Sequence, residues 1–277
     1  MPVLLTVLLI TLLLHPAEVM NAASAACGLF VRSVMPGLLP YMILSQMLVS
    51  RIRQMKPVLI VLLGWGGGSP AGGRLLGLCP GLDARRRAEL AVCCSTMSPM
   101  FLLGTVGAWL GFPSAGTCAL GAVLAGGWIA GRLAGRVPRR ADDSAMTKPP
   151  TPLTLGEAAD QTARTLLTVC ATMALMRVLA ELAAGAVAGI SPALRLVLLT
   201  LMEVSGGAAE IAALPLPLPL RTALIAGAAG FGGAAILLQN RSVWPRGLMS
   251  LLEQLLWQAV HGAASFLIAL GLMQLYP

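Results

Sequence analysis

The sequence predicts an all-α, polytopic membrane protein that contains an inverted repeat, and three observations lead to this fold class. Of the 277 residues, 57% are hydrophobic and 11% are charged, a composition that no soluble core of this size requires. The apolar segments recur at lengths near the ~20 residues that a helix needs to cross a bilayer. Breaks in these segments come in the same order in both halves of the chain.

Charge and motif content exclude several other classes of protein. The formal net charge of +8 could indicate a nucleic-acid partner, but only 4% of the residues are aromatic and the basic residues stand between apolar blocks. The six cysteines include no CxxC pair, and no histidine stands at metal-ligand spacing from them. No nucleophile elbow of the GxSxG type is present. We therefore predict no nucleic-acid partner, metal, cofactor or enzymatic activity.

Residues 1–24 are predicted to form an N-terminal transmembrane helix. Val3 to Leu14 is apolar and uncharged, and it precedes His15 and Pro16. A signal peptide cleaved among the small residues of Ala22 to Ala26 is the alternative. Because no Lys or Arg precedes the apolar run, as a signal sequence requires, we expect a retained helix with a cytoplasmic N-terminus.

Residues 25–140 are predicted to form the first repeat, with three membrane crossings and one re-entrant hairpin. The hairpin is expected where glycines between Gly64 and Gly73 interrupt an apolar segment, because the apolar residues before them are too few to cross. Such backbone is tolerated only where protein or a watery cavity satisfies its polar groups. The expected segments are Cys27 to Val49, the hairpin Pro57 to Leu78, a span from Ala88 to Leu110 broken at Ser98 and Pro99, and Pro113 to Leu133.

A cytoplasmic linker, residues 141–160, is predicted to precede the second repeat, residues 161–277. Shifting the first half by 136 positions places Ser69 on Ser205 and Thr96 on Gly232. A unit with three crossings and one hairpin ends on the opposite side of the bilayer, so the second copy is inverted. Its expected segments are Ala163 to Ala184, the interrupted Pro192 to Leu220, Thr222 to Leu238, and Leu248 to Leu272.

The distribution of basic residues agrees with this topology, because positive charges concentrate in cytoplasmic loops. Arg195 and Arg221 fall on the outer side, and the side of Arg32 is left open. The residues that fall on the cytoplasmic side are Arg51, Arg53, Lys56, Arg85, Arg86, Arg87, Arg132, Arg136, Arg139, Arg140, Lys148, Arg164, Arg241 and Arg246.

The breaks predict helix starts inside the membrane. Ser69 and Ser98 each precede a proline, and serine is a preferred N-cap while proline suits the first helical position. Ser205, before two glycines, is expected to cap in the same way. Free amides at such starts favour a negative group. The alternative is that these glycines and prolines only help helices to pack.

Ionisable residues in the apolar segments narrow the predicted chemistry. Arg74 could hold a carboxylate with two parallel hydrogen bonds, or it could extend to the lipid interface. Glu203 is a functional candidate that we expect to bind the driving proton or cation, and an ion pair with Arg177 is its structural alternative. Glu210 is the repeat counterpart of Arg74, which hints at a charge pair between them. His261 favours a helix-to-helix hydrogen bond over a proton relay.

Three motifs carry a family resemblance. They are Ser69-Pro70-Ala71-Gly72-Gly73-Arg74-Leu75, Ser95-Thr96-Met97-Ser98-Pro99 and Gly230-Phe231-Gly232-Gly233. In this order they resemble the YlbJ-type sporulation integral membrane proteins, which belong with the gate or nucleoside-recognition domain group and are distantly like the concentrative nucleoside transporters. The likeness covers nearly the whole chain.

The resemblance implies two re-entrant hairpins and two unwound helices around a central site. It also implies a spore-related cell membrane and the movement of dipicolinic acid, a dianionic pyridine dicarboxylate. Ser95 and Met97 depart from the pattern, in which asparagine and serine are usual, so the coupling ion, proton or sodium, stays open. The residues that would line the substrate site are Ser69, Arg74, Ser95, Thr96, Ser98, Glu203, Ser205 and Gly232.

The sequence therefore predicts a multi-pass transporter for a small organic anion, with dipicolinic acid as the favoured solute. A carrier of nucleoside-like solutes is one alternative. Another is a non-transporting assembly protein of the spore envelope, which should tolerate the loss of the buried arginine and glutamate. A homo-oligomer is left open.

Overall fold

The computed structural model describes residues 2–52, 56–77, 82–139, 151–186, 189 and 191–275. All regular elements in these ranges are helical. Five helices are long and apolar enough to cross a membrane, which confirms the prediction of a helical membrane protein. The predictions for Arg53, Arg140 and Lys148, and most of the linker 141–160, lie outside the described residues. The five helices are Pro16–Val49, Pro113–Ala134, Leu155–Ala186, Leu218–Val243 and Leu251–Leu275.

The first half begins with two helical segments, and the break between them is at His15. His15 leaves the helical region, and Pro16 then starts a helix of 34 residues that passes through a π-helical turn at Phe30–Val34. The predicted boundary at residue 24 falls inside this helix, in a part where Ala22 and Ala26 are buried. The elements are α1 (Pro2–Leu14), α2 (Pro16–Leu29), α3 (Met35–Val49), α4 (Pro57–Gly77), α5 (Ala84–Cys93), α6 (Gly107–Leu110) and α7 (Pro113–Ala134).

Helix α4 is a helical hairpin that reverses at Gly68, whose φ of 71° and ψ of −171° are not helical. A Cβ placed on Gly72 would lie 3.3 Å from the Cα of Gly64. Eight residues of straight helix would separate these positions by about 12 Å, so the two arms lie side by side. The reversal contacts the break after α5, since a Cβ on Gly68 would lie 3.1 Å from the amide nitrogen of Ser98 and 3.3 Å from the Thr96 oxygen.

The break after α5 is longer than the sequence indicates. The chain leaves the helix at Cys94, before the predicted Ser98, and resumes it at Pro99. Ser98 acts as the predicted N-cap, because its Oγ accepts a hydrogen bond from the amide of Phe101 at 3.3 Å. A π-helical stretch, Phe101–Val106, then leads into α6.

The second half has the same order of elements: a long helix, a helical hairpin, a broken helix and an unbroken helix. A Cβ on Gly207 would lie 2.7 Å from the Cα of Thr200, so the two arms of the hairpin also lie side by side. Gly232, with φ 80°, interrupts the broken helix. The elements are α8 (Leu155–Ala186), α9 (Pro192–Met202), α10 (Val204–Ala212), α11 (Leu218–Phe231), α12 (Gly233–Val243) and α13 (Leu251–Leu275).

Helices α7, α11 and α13 pack closely and form a support for the broken elements. A Cβ on Gly262 would lie 2.9 Å from the Gly227 oxygen, so small residues let these backbones approach. His261 is fully buried, and its Nε2 lies 2.9 Å from the oxygen of Val123. The predicted helix-to-helix hydrogen bond of His261 is therefore confirmed, and it joins α13 to α7.

We expect Gly68→Ala to destabilise the protein by about 1–3 kcal/mol, because the backbone conformation at Gly68 is one that residues with a Cβ rarely adopt. The added methyl group would also meet the backbone of Thr96 and Ser98. Thermal unfolding in detergent measures the effect, with Gly121→Ala in α7 as the control, because a Cβ there meets nothing within 4 Å. Equal midpoints for both variants would contradict the assigned reversal.

Candidate functional site

The two hairpin tips, the break after α5 and part of α12 meet at one cavity. Gly67–Ser69 of the first hairpin and Glu203–Ser205 of the second lie in its wall, together with Thr96–Ser98 from the break after α5 and Gln239 from α12. The space that a water-sized sphere can enter is about 50 Å³, which is room for a few water molecules. The apolar part of the wall comes from Val34, Leu38, Phe101, Val169, Met173 and Ile236.

Thr96 presents a polar group without a partner at this cavity. Its side chain is 0% exposed, and its Oγ1 has no hydrogen-bond partner among the described residues. A buried hydroxyl in that condition costs about 1–3 kcal/mol. The Thr96 hydroxyl is therefore available to a bound solute, ion or water.

Glu203 supplies the N-cap of α10. Its carboxylate is 1% exposed and accepts hydrogen bonds from the amides of Ser205 at 2.8 Å and Gly206 at 2.6 Å. The prediction that Ser205 caps this helix and leaves its amides free for an anion is wrong. The extended backbone of Glu203, with φ −138° and ψ 103°, lets its longer side chain turn back over the first turn. The negative group at this helix start is thus part of the protein.

The ion pairs of Arg177 and Glu210 differ from the pairs considered for these residues from the sequence. Arg177 Nη2 lies 3.0 Å from Glu181 Oε1 and 3.1 Å from Glu210 Oε1. Arg195 completes a ring of four ion pairs, because its Nη2 lies 2.8 Å from Glu181 Oε1 and its Nη1 lies 3.2 Å from Glu210 Oε2. The ring holds α9 and α10 to α8. Neither the alternative pair of Glu203 with Arg177 nor the pair of Glu210 with Arg74 is among the ion pairs of the described residues.

A buried polar chain connects the two halves of the protein. Ser69 Oγ donates a hydrogen bond to Asn240 Oδ1, and Asn240 Nδ2 donates to Ser95 Oγ at 2.7 Å. Asn240 is 0% exposed. The hydroxyl of Ser69 therefore binds α12 instead of capping its own helix arm. Asn240 was not predicted from the sequence, because the third span was expected to end at Leu238. Two adjacent amide side chains, Gln239 and Asn240, directly after an apolar segment are a signal that could have identified it.

The predicted site residues fall into three groups. Ser69, Thr96, Ser98, Glu203 and Ser205 line the central cavity. Ser95 and Gly232 lie behind the wall: Ser95 lines a smaller cavity beside His261, and a Cβ on Gly232 would lie 3.2 Å from the side chain of Ile236. Arg74 lines a separate cavity, so the structure does not bring it together with the other predicted residues.

Comparisons with known proteins identify no relative. No protein-family model matches the chain, and no curated protein and no solved structure matches it significantly. The resemblance to YlbJ-type proteins stays a prediction that rests on the three motifs.

We expect Asn240→Ala to destabilise the protein by about 2–5 kcal/mol, because it leaves two buried serine hydroxyls without partners. Asn21→Ala in α2 is the control, since Asn21 is exposed. The free energy of unfolding in mixed micelles measures both. Ser95→Ala should cost less in the Asn240→Ala background than alone, and strict additivity of the two changes would contradict the bond between them.

Proposed function

We propose that the chain is a membrane carrier that moves a small organic solute across the bilayer through the central cavity. The convergence of two hairpin tips and the break after α5 on one cavity carries this proposal. Broken backbone inside a membrane is tolerated where it lines a cavity, and paired broken helices form the solute sites of many secondary transporters. The unpartnered Thr96 hydroxyl supports a ligand at the same place.

We further propose that the two halves are inverted repeats, with α4 and the α9–α10 pair as re-entrant hairpins. The matching order of elements supports this topology. Helix length supports it as well, because the 11 residues of α9 extend about 17 Å and cannot cross a hydrocarbon core of about 30 Å. The bias of basic residues toward one side places the N-terminus in the cytoplasm.

The composition of the cavity wall indicates how a charged solute could be carried. Among the described lining residues, Glu203 is ionisable and none is Lys, Arg or His. An ionised Glu203 would repel an organic anion, so we propose that dipicolinic acid crosses together with a proton or cation that neutralises this carboxylate. Each ligand then raises the affinity of the other by the same factor.

The apolar part of the wall suits the aromatic ring of such a solute. Phe101, Met97 and Met173 line the cavity, and methionine sulfur and aromatic rings make favourable contacts. The hydroxyls of Thr96 and Ser98 stand beside these side chains and could orient a polar substituent. The same wall would accept an uncharged nucleobase, so a nucleoside-like solute is the second candidate.

Uptake into proteoliposomes tests the carrier proposal directly. The purified full chain should accumulate labelled dipicolinate above the level of empty liposomes, and an imposed gradient of protons or sodium ions should increase the uptake. Labelled nucleosides test the second candidate in the same assay. If no solute enters above background while the protein stays folded, the non-transporting assembly role replaces the carrier.

We expect Glu203→Gln to lose the stimulation of uptake by the ion gradient, because the variant side chain has no charge to neutralise. Its single amide oxygen can accept only one of the two backbone hydrogen bonds at the start of α10, so some stability is lost and thermal unfolding checks that the variant is folded. The control is Glu18→Gln, since Glu18 is 59% exposed near the N-terminus. Unchanged gradient dependence in a folded Glu203→Gln protein would exclude the coupling role.

Thr96→Val should weaken solute binding by about 1 kcal/mol, the usual contribution of one hydrogen bond.

The inverted topology is tested with single cysteines at positions 85 and 221 in a background without the six native cysteines. An impermeant thiol reagent added from the cytoplasmic side should label position 85 and not position 221, because the two loops are proposed to face opposite sides. Labelling of both positions from one side would contradict the inverted repeat.

A further inference from the structure

A second cavity lies beside the central one and contains Arg74. The space in it that a water-sized sphere can enter is about 200 Å³, and its wall includes the polar residues Thr165, Thr168, Gln239 and Ser242. Val169 and Gln239 also line the central cavity, so the two spaces share a wall. Thr165 and Thr168 lie in the first part of α8, and Ser242 lies at the end of α12, which are cytoplasmic positions in the proposed topology.

The guanidinium of Arg74 has unused hydrogen-bonding capacity. Among the described residues, its hydrogen bond is to the backbone oxygen of Gln161 at 3.4 Å, and no carboxylate lies within ion-pair distance. A guanidinium has five N–H donors, so most of them are left for another group. The described wall of this cavity includes no Asp or Glu. Arg74 is partly exposed at this cavity, so its remaining donors are accessible to an anionic ligand.

The two adjoining cavities therefore differ in charge. Glu203 lines the central cavity, and Arg74 lines the second. Gln239 is 4% exposed, borders both spaces, and is held by a hydrogen bond of 2.8 Å from its Nε2 to Thr172 Oγ1. One amide side chain thus stands between an acidic and a basic compartment.

We infer that the Arg74 cavity is a second subsite, on the cytoplasmic side, which binds a carboxylate group of the solute as it passes Gln239. This inference rests on the proposed carrier function. Arg74 holds the carboxylate through two parallel N–H donors, a geometry that lysine cannot reproduce. The central cavity then receives the solute together with the proton or cation that neutralises Glu203, and the Arg74 cavity binds the solute through its carboxylate.

A cysteine reporter tests the subsite without measuring transport. Thr168→Cys, in the background without native cysteines, places a thiol in the Arg74 cavity. The rate of modification is measured with an anionic and with a cationic thiosulfonate reagent, and the ratio of the two rates is compared with and without Arg74→Gln. Because the guanidinium attracts anions, the ratio of the anionic to the cationic rate should be higher when Arg74 is present. Dipicolinate should slow the modification several-fold, and Arg74→Gln should abolish that protection. Thr117→Cys, exposed on α7, is the control and should show neither effect.

Equilibrium binding of dipicolinate to the purified full chain gives the second measurement. Arg74→Gln should weaken binding on the order of 10- to 100-fold, as expected for a hydrogen-bonded charged group, and Arg74→Lys should recover part of the loss. Arg51→Gln is the matched control, because Arg51 is exposed and also donates to a backbone oxygen, that of Met47 at 2.8 Å.

The outcomes separate this inference from the carrier proposal. Protection of Thr168→Cys by dipicolinate without uptake into proteoliposomes would support the subsite and reject the carrier. The opposite result would be uptake of dipicolinate without protection of Thr168→Cys, and the same ratio of anionic to cationic modification rates with and without Arg74. That result would overturn the subsite and leave the carrier intact. In that case Arg74 extends to the lipid interface.

Discussion

Polar backbone groups that a helix break releases inside a membrane must find partners within the protein, and the centre of this structure depends on that constraint. Each break meets it differently. Glu203 caps the start of α10 with its own carboxylate, Ser98 accepts from the amide of Phe101, and Gly68 turns directly against the backbone of Thr96 and Ser98. Glu203 and Ser98 thus satisfy their own helix starts, and the close approach of Gly68 to Thr96 and Ser98 brings the first hairpin tip to the break after α5 at the central cavity.

The sequence predicted the elements better than it predicted the direction of their side chains. The order of interruptions came from glycine, serine and proline positions, which act locally and can be read along the chain. Glu203 was identified as functional because a carboxylate is rare in an apolar segment. Its role as a cap could not be predicted, since it depends on backbone angles at a single residue. Arg74 was grouped with the central residues because its spacing from Pro70 fitted, but the direction of the returning arm places it in the next cavity.

Asn240 shows why a pattern of spans hides part of the site. Hydropathy ends the span where amides begin, so Gln239 and Asn240 were left outside the membrane segment. In the structure α12 continues to Val243, and both amides are buried because they bind residues of other elements, Thr172 and the pair of Ser69 and Ser95. Such bonds join residues far apart in the sequence, and local periodicity contains no information about them.

The two hairpins are held by different kinds of interaction. The first hairpin is anchored by a part-buried hydrogen bond from Trp65 to the Cys93 oxygen and by a buried one from Ser69 to Asn240. The second is held to α8 by the ring of Arg177, Glu181, Arg195 and Glu210, whose side chains are 16–39% exposed. Partly exposed ion pairs contribute about 0–1 kcal/mol each and weaken in salt, whereas breaking a buried hydrogen bond costs more. Among the described residues of α9, Leu199 is buried. The α10 arm differs, because residues 204–208, Ile211 and Ala212 are buried, so packing holds this arm together with the ion pairs of Glu210.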